Sequence, residues 1–331
     1  MKAPIASRSY VPPRRRRGSR RSRGSSALRP LGAVALALVL VAAAFLLDRG
    51  LAALPRPRAT GPVKQAAAHH PVPPQGVPVK GLSGLTAGTC LSFAPTGKDR
   101  RQTVFIDPGH GGLDPGVVGR TSAGATISEK TATLEVALAL AARLRAAGYR
   151  VVLSRTSDTT LIGAGADGTG NGVLTRDALR QDLIARVDCA NAAGADVLLA
   201  IHFNAYDGVS AGGTETYYDS ARAFNQPNAR LAKGVQAQLV AGLGLPDRGA
   251  LSEASLNVPA VDAAAESYGH LVELGPAQQG WLERPSRMPG ALTEPLFLTN
   301  PQQADLAASA WGQRRIATAL SAALDAYFAG G

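Results

Sequence analysis

The sequence predicts a three-layer α/β fold, with a mainly parallel or mixed twisted sheet covered by helices on both faces. Two observations carry that expectation. Short apolar runs of strand character alternate with longer stretches whose apolar residues recur at helical spacing. The residues best suited to chemistry fall at the ends of those runs or at a helix start, the rim where open α/β sheets bind ligands.

Taken in order, Thr103 to Ile106 reads as a strand that runs into Asp107-Pro108-Gly109-His110-Gly111-Gly112. Glu129 to Ala147 reads as a helix, with Leu134, Ala137, Leu138, Ala141 and Leu144 on one face, Ser128 as its N-cap and Gly148 just past its end. Arg150 to Leu153 is the next strand. Thr175 suits the cap of a helix from Arg176 to Ala193, closed by Gly194, with a stripe of Leu179, Leu183, Val187 and Ala190. Arg186 sits at the edge of that stripe, a position suited to a structural ion pair. Asp196 to His202 and Gly213 to Tyr218 read as strands, and Asn228 to Leu243 as a helix. Gly290 to Glu294 is a strand feeding Asn300-Pro301, a capping residue followed by proline at the first helical position. The last helix spans about Gln313 to Phe328.

The chain has 331 residues, 45% of them apolar, enough for one sizeable core. Its net charge of +11 is concentrated at one end, because residues 1–30 hold ten basic groups and no acid. The remainder is nearly neutral, which argues against a nucleic-acid-binding face. Residues 31–47 are uncharged and almost wholly apolar, long enough to cross a bilayer as a helix or to form a signal-peptide core. The arginines before them should hold the N-terminus in the cytoplasm and send the rest across. Asp48-Arg49 closes the segment without a small-x-small cleavage site, which favours a retained anchor over secretion after cleavage. Residues 48–84 are the linker, with prolines at 55, 57, 62, 71, 73, 74 and 78, extended at about 3 Å per residue. Residues 85–331 are then the folded domain.

His110 and His202 each sit at the exit of an apolar run, and Glu129 opens a helix between them. Two imidazoles and a carboxylate make a three-ligand set for catalytic zinc, with one position left for water. On spacing alone, ordinary polar strand-end side chains and a first-turn acid stay open as alternatives.

Seven motifs in order decide between them. They are V-F-I-D-P-G-H-G-G-L-D-P-G at 104–116, S-E-K at 128–130, S-R-T-S-D at 154–158 and R-V-D-C-A-N at 186–191. A-I-H-F-N-A at 200–205, G-G-T-E-T-Y-Y at 212–218 and M-P-G-A-L-T-E-P-L-F-L-T-N-P at 288–301 complete the series. Together they resemble the zinc-dependent N-acetylmuramoyl-L-alanine amidases of the amidase-3 type, from about residue 103 to 327. The resemblance implies a three-layer α/β fold, zinc held by His110, Glu129 and His202, and Glu294 as the catalytic carboxylate. It implies peptidoglycan as substrate, cut between the N-acetylmuramoyl lactyl group and L-alanine, in wall remodelling or daughter-cell separation. The site would then face outward, beyond the membrane. Asp114 and Asn204 are candidates to orient ligands or substrate, and Gly109, Gly111 and Gly112 to allow close backbone approach or simply a tight turn.

Two rivals stay in view: an amidase-like wall-binding or regulatory protein that has lost catalysis, and a zinc hydrolase of another peptide or amide. Glu273, in V-E-L-G at 272–275, competes with Glu294 for the catalytic role, but only Glu294 follows Met-Pro by a short apolar strand and precedes an aromatic and Asn-Pro. The Gly-rich loop 163–172 and the segment 244–287 depart from the compact family pattern and are candidates for substrate recognition or gating.

Cys90 and Cys189 are the only cysteines. In an exported protein two cysteines suggest one disulfide; in a cytosolic one, two inert thiols. Cys189 lies more than about 100° around its helix from the centre of the apolar stripe, at about 100° per residue. A cysteine off the core face is placed to tie down the arm carrying Cys90.

Overall fold

The computed structural model describes residues 76–163, 174–253 and 268–330. The Arg-rich tail, the apolar stretch 31–47, the linker as far as residue 75 and most of the loop 163–172 lie outside the described residues. Among the described residues, no helix is long and apolar enough to cross a membrane.

In chain order the strands are β1 (Val77–Pro78), β2 (Thr89–Phe93), β3 (Thr103–Pro108), β4 (Val118–Arg120), β5 (Thr126–Ser128), β6 (Arg150–Arg155), β7 (Val197–Ile201), β8 (Thr214–Tyr218), β9 (Asp247–Ser252) and β10 (Gly290–Glu294). The helices are α1 (Glu129–Ala146), α2 (Arg176–Ala192), α3 (Asn225–Leu243), α4 (Pro301–Ala308) and α5 (Ala310–Ala329). Eight strands form one mixed sheet in the order β1-β2-β6-β3-β7-β10-β8-β9. Its four central strands, β6, β3, β7 and β10, are parallel. β2 and β8 flank them antiparallel, β9 runs parallel to β8, and β4 and β5 pair separately.

Side-chain alternation assigns the layers. Val104, Ile106, Val151, Leu153, Val197, Leu199 and Ile201 turn to one face and pack with α1, α3, α4 and α5. Phe105, Val152, Leu198 and Ala200 turn to the other, beneath α2. Strands covered on both sides keep no solvent face, so they read as unbroken apolar runs. The expected three-layer arrangement holds.

Several local expectations change. Ser128 does not cap α1 with its side chain, because its Oγ meets Thr131 Oγ1 while the Glu129 amide donates to Val117 O. α3 begins at Asn225, ahead of Asn228, with Pro227 in a first turn where its missing N–H costs nothing. α5 begins at Ala310 rather than Gln313, capped by Ser309, whose hydroxyl accepts from the Gly312 amide. Gly312 looks like a breaker but serves a close approach, since a Cβ there would lie 2.1 Å from Leu306 O. Thr175 and Asn300 cap α2 and α4 as anticipated. β2 and the edge strand β9, inside the segment 244–287, lack the long apolar runs of central strands and were not anticipated. The folded part also starts before residue 85: β1 pairs with Leu91 and Ser92, and Val79 and Leu82 pack on the core.

Cys90 and Cys189 form the expected disulfide, joining β2 to α2 across 99 residues of sequence. Cys189 is nevertheless fully buried. The single-stripe reading of α2 fails because this helix is covered on more than one side. Val187, Cys189 and Ala190 are buried, the two latter within the core beneath the sheet, while Leu183 and Ile184 pack against Tyr268, Val272 and Leu282.

Two buried arginines fix the exit of β3. Arg186, from α2, donates twice through one nitrogen to the Asp107 carboxylate at 2.9 Å, to Asp182 at 2.8–2.9 Å, to Pro108 O at 3.1 Å and to His110 O at 2.9 Å. Arg155, at the end of β6, donates to Pro108 O and Gly109 O at 2.9 Å, and to Lys130 O and Thr133 Oγ1 at the start of α1. Burial disfavours the Arg186 cation, yet Asp107 and Asp182 raise its pKa further above the usual arginine value. The anticipated ion pair is thus a network.

Arg186→Met should cost about 3–5 kcal/mol in a urea unfolding curve, because it leaves two carboxylates buried without a counter-charge. Arg186→Lys should recover only part, since an ammonium lacks the guanidinium fork. Replacing both cysteines by alanine should cost about 2–4 kcal/mol in the same assay; an unchanged midpoint would show the bridge to be idle.

Candidate metal centre and active site

The parallel register brings the site together. Asp107 pairs with Ala200 and Pro108 with Ile201, and Thr293 of β10 pairs with Ile201 from the other side. His110, His202 and Glu294 therefore leave three adjacent strands at one rim. The His202 amide donates to Thr293 O at 2.9 Å, locking that level. Glu129 reaches the same rim from the first residue of α1, as expected.

Three acceptor atoms converge there. His110 Nε2 lies 3.1 Å from Glu129 Oε1, His202 Nδ1 lies 3.1 Å from the same oxygen, and the two ring nitrogens are 3.2 Å apart. Ligand atoms around a tetrahedral zinc, at bonds near 2.0–2.1 Å, are separated by about 3.3 Å. The nearly equilateral triangle fits that geometry.

Each corner is held from behind. His110 Nδ1 bonds Asp114 Oδ2 at 2.7 Å, which directs Nε2 inward, and Asp114 Oδ1 accepts from the Gly116 amide at 3.1 Å. Glu129 Oε2 accepts from the Val117 amide at 2.8 Å, and its Oε1 from the Phe203 amide at 2.9 Å. His110 itself has a φ of 64°, in the left-handed region that L-residues avoid. The glycines have specific reasons. A Cβ on Gly109 would lie 2.3 Å from the His202 ring, and one on Gly116 would lie 2.6 Å from Glu129 Oε2.

The local electrostatics favour a cation. Burial works against a charged imidazole, yet Glu129 and Asp114 push His110 up to about 10. Burial would raise the Glu129 carboxyl, but the two imidazoles bring it far below the usual carboxylate range. Glu294 behaves oppositely. It is buried, its Oε2 accepts no hydrogen bond among the described residues, and burial and the charge of Glu129 hold its carboxyl well above the usual range.

Glu215 was not anticipated. It stands directly opposite Glu294 in the β8–β10 ladder and also raises it. Its carboxylate accepts from Asn204 Nδ2 at 2.7 Å, from Tyr217 OH and from Arg248. The sequence carried it inside the G-G-T-E-T-Y-Y motif, as an acid within a short strand, with no role attached. Asn204 is tied to this group and to the Ala205 amide.

Beside the triangle opens a cavity of about 220 Å³, lined by His110, Asp114 and His202 and by Leu179, Leu183, Leu271, Val272 and Leu292. Leu179 and Leu183, taken from the sequence as core, form its wall. Glu273 also lines it, and its carboxylate lies within 4.8 Å of ligand atoms of Asp107 and His202. It belongs to the surroundings of His202 and Asp107.

Comparison with known proteins agrees with this geometry. The amidase-3 family model, described as N-acetylmuramoyl-L-alanine amidase, matches residues 104–326. N-acetylmuramoyl-L-alanine amidase LytC of Bacillus subtilis is 33% identical over 204 residues, covering 61% of this chain and 31% of LytC. The chain thus spans about a third of that protein's length. The germination-specific N-acetylmuramoyl-L-alanine amidase of the same species is 30% identical over 225 residues, covering 68% of this chain and 79% of the relative. The structure of the CwlD amidase from Clostridioides difficile, in complex with the GerS lipoprotein, shares the fold with a TM-score of 0.53 and 23% identity, covering 70% of this chain and all of CwlD. The family match runs unbroken from β3 into α5, and the chain belongs to the amidase-3 family of N-acetylmuramoyl-L-alanine amidases.

Proposed function

We propose that this chain hydrolyses the amide between the N-acetylmuramoyl lactyl group and L-alanine of peptidoglycan, with zinc held by His110, Glu129 and His202. The observation that carries the reading is the triangle of three ligand atoms at 3.1–3.2 Å, set one strand from a buried glutamate. A bound zinc supplies a water of lowered pKa and polarises the amide carbonyl. Glu294 accepts the proton of the attacking water and passes it to the leaving nitrogen; a carboxyl held above its usual range suits both steps. Asp114 keeps the His110 lone pair turned inward, and Arg186 and Arg155 fix the turn that carries it. Asp114 and Asn204 are proposed substrate contacts at the rim, where each already holds one site side chain.

The apolar run at 31–47 and the proline-rich stretch after it support an export anchor and spacer, which would present the domain to the wall from outside the membrane. Remodelling of the wall or separation of daughter cells is the proposed setting. The rival of a catalytically idle scaffold would be marked by loss of a ligand, whereas all three are present and convergent.

His110→Ala or His202→Ala should abolish zinc binding at this triangle together with activity, read as metal content and turnover on purified sacculi. Digestion should release stem peptides beginning with L-alanine; new reducing sugar ends instead would identify a glycosidase. Glu294→Gln should keep the zinc but lose at least about a hundredfold in rate, the scale of general acid–base assistance. Glu273→Gln should be much milder, and the opposite ranking of these two variants would move the catalytic role to Glu273.

A further inference from the structure

A second convergence of metal-type ligands lies on β8 and β9, at the sheet edge away from β1. Parallel pairing sets Tyr218 opposite Ser252, so the next residues, Asp219 and Glu253, leave adjacent strands side by side. Both are buried. His270 returns over them, and the ligand atoms of the three residues lie within 4.8 Å of one another. His270 Nδ1 is 3.2 Å from Asp219 Oδ2 and also meets Glu253 Oε1.

One ring nitrogen carries at most one proton, so it cannot bond both carboxylates. Asp219 Oδ1 accepts from the Ala221 amide, while its buried Oδ2 accepts no hydrogen bond among the described residues. Arg222 is the neighbouring cation, and it donates to Leu274 O, Gly275 O and Ser286. Two carboxylates are thus held together with less positive charge than they require, and His270 remains partly exposed, so an ion can enter.

We infer that Asp219, Glu253 and His270 form a second divalent-cation site, for a first-row metal such as zinc. An imidazole with two carboxylates suits such ions better than it suits magnesium or calcium, which favour all-oxygen ligands. Leu271, Val272 and Glu273 follow His270 directly and line the cavity beside the first triangle. An ion on His270 therefore anchors one wall of that cavity from outside it.

The test is metal content of the full chain, equilibrated with zinc and then freed of loosely bound ion. Wild type should hold about two zinc per chain, and His270→Ala and Glu253→Gln about one each, with the native circular dichroism retained. His110→Ala should also hold about one, and the His110→Ala/His270→Ala double variant none. Equal zinc in wild type, His270→Ala and Glu253→Gln would overturn the second site. A single zinc lost in His270→Ala but kept in His110→Ala would instead uphold it and refute the first triangle. Should His270→Ala fail to fold, Glu253→Gln, which preserves shape and hydrogen-bonding capacity, carries the comparison alone.

Discussion

The arrangement at the rim depends on two guanidinium groups closing on one turn from opposite faces of the sheet. Arg186 reaches the Asp107–His110 turn from the α2 side and Arg155 from the α1 side, and between them they occupy the carbonyls of Pro108, Gly109 and His110. A buried arginine is costly unless nearly every donor finds an acceptor. Here that requirement becomes positional information. The acceptors are backbone carbonyls of the turn that presents His110, so satisfying the arginines and aiming that imidazole are the same event. The left-handed conformation of His110 is then held by its surroundings rather than by its own preference.

The same economy of space recurs at the other corners. Gly109 and Gly116 lack side chains because the His202 ring and the Glu129 carboxylate fill the places their Cβ atoms would take. Glu129 is restrained by amides from two separate segments, Val117 and Phe203, so the first residue of α1 is tied to the end of β7. Order in the triangle therefore comes from backbone amides at Glu129 as well as from the two arginines at His110.

How far the sequence disclosed this follows from where each residue sits. The central strands were legible because burial on both faces leaves unbroken apolar runs, and α1 because Gly148 closes it and α2 because Thr175 caps it and Gly194 closes it at the expected offsets. His110, Glu129, His202 and Glu294 were legible because each lies in a motif at an element boundary. The edges were not. β2 and β9 carry Ser, Thr, Asp and Arg, and only pairing with a neighbour makes them strands. Glu215 was hidden because its importance comes from register, standing opposite Glu294 on another strand, which no local spacing encodes. Cys189 was correctly paired for an incomplete reason: a single stripe cannot describe a helix that is covered on more than one side.

The central four strands and the start of α1 supply every corner of the triangle, whereas one wall of the cavity comes from residues 271–273, beyond the edge strand β9. These two parts of the molecule are built from different stretches of chain, and they meet where Glu273 comes within 4.8 Å of Asp107 and His202. Insertions, deletions and exchanges between β9 and β10 can therefore reshape what the cavity admits while the register of β3, β7 and β10 stays as it is.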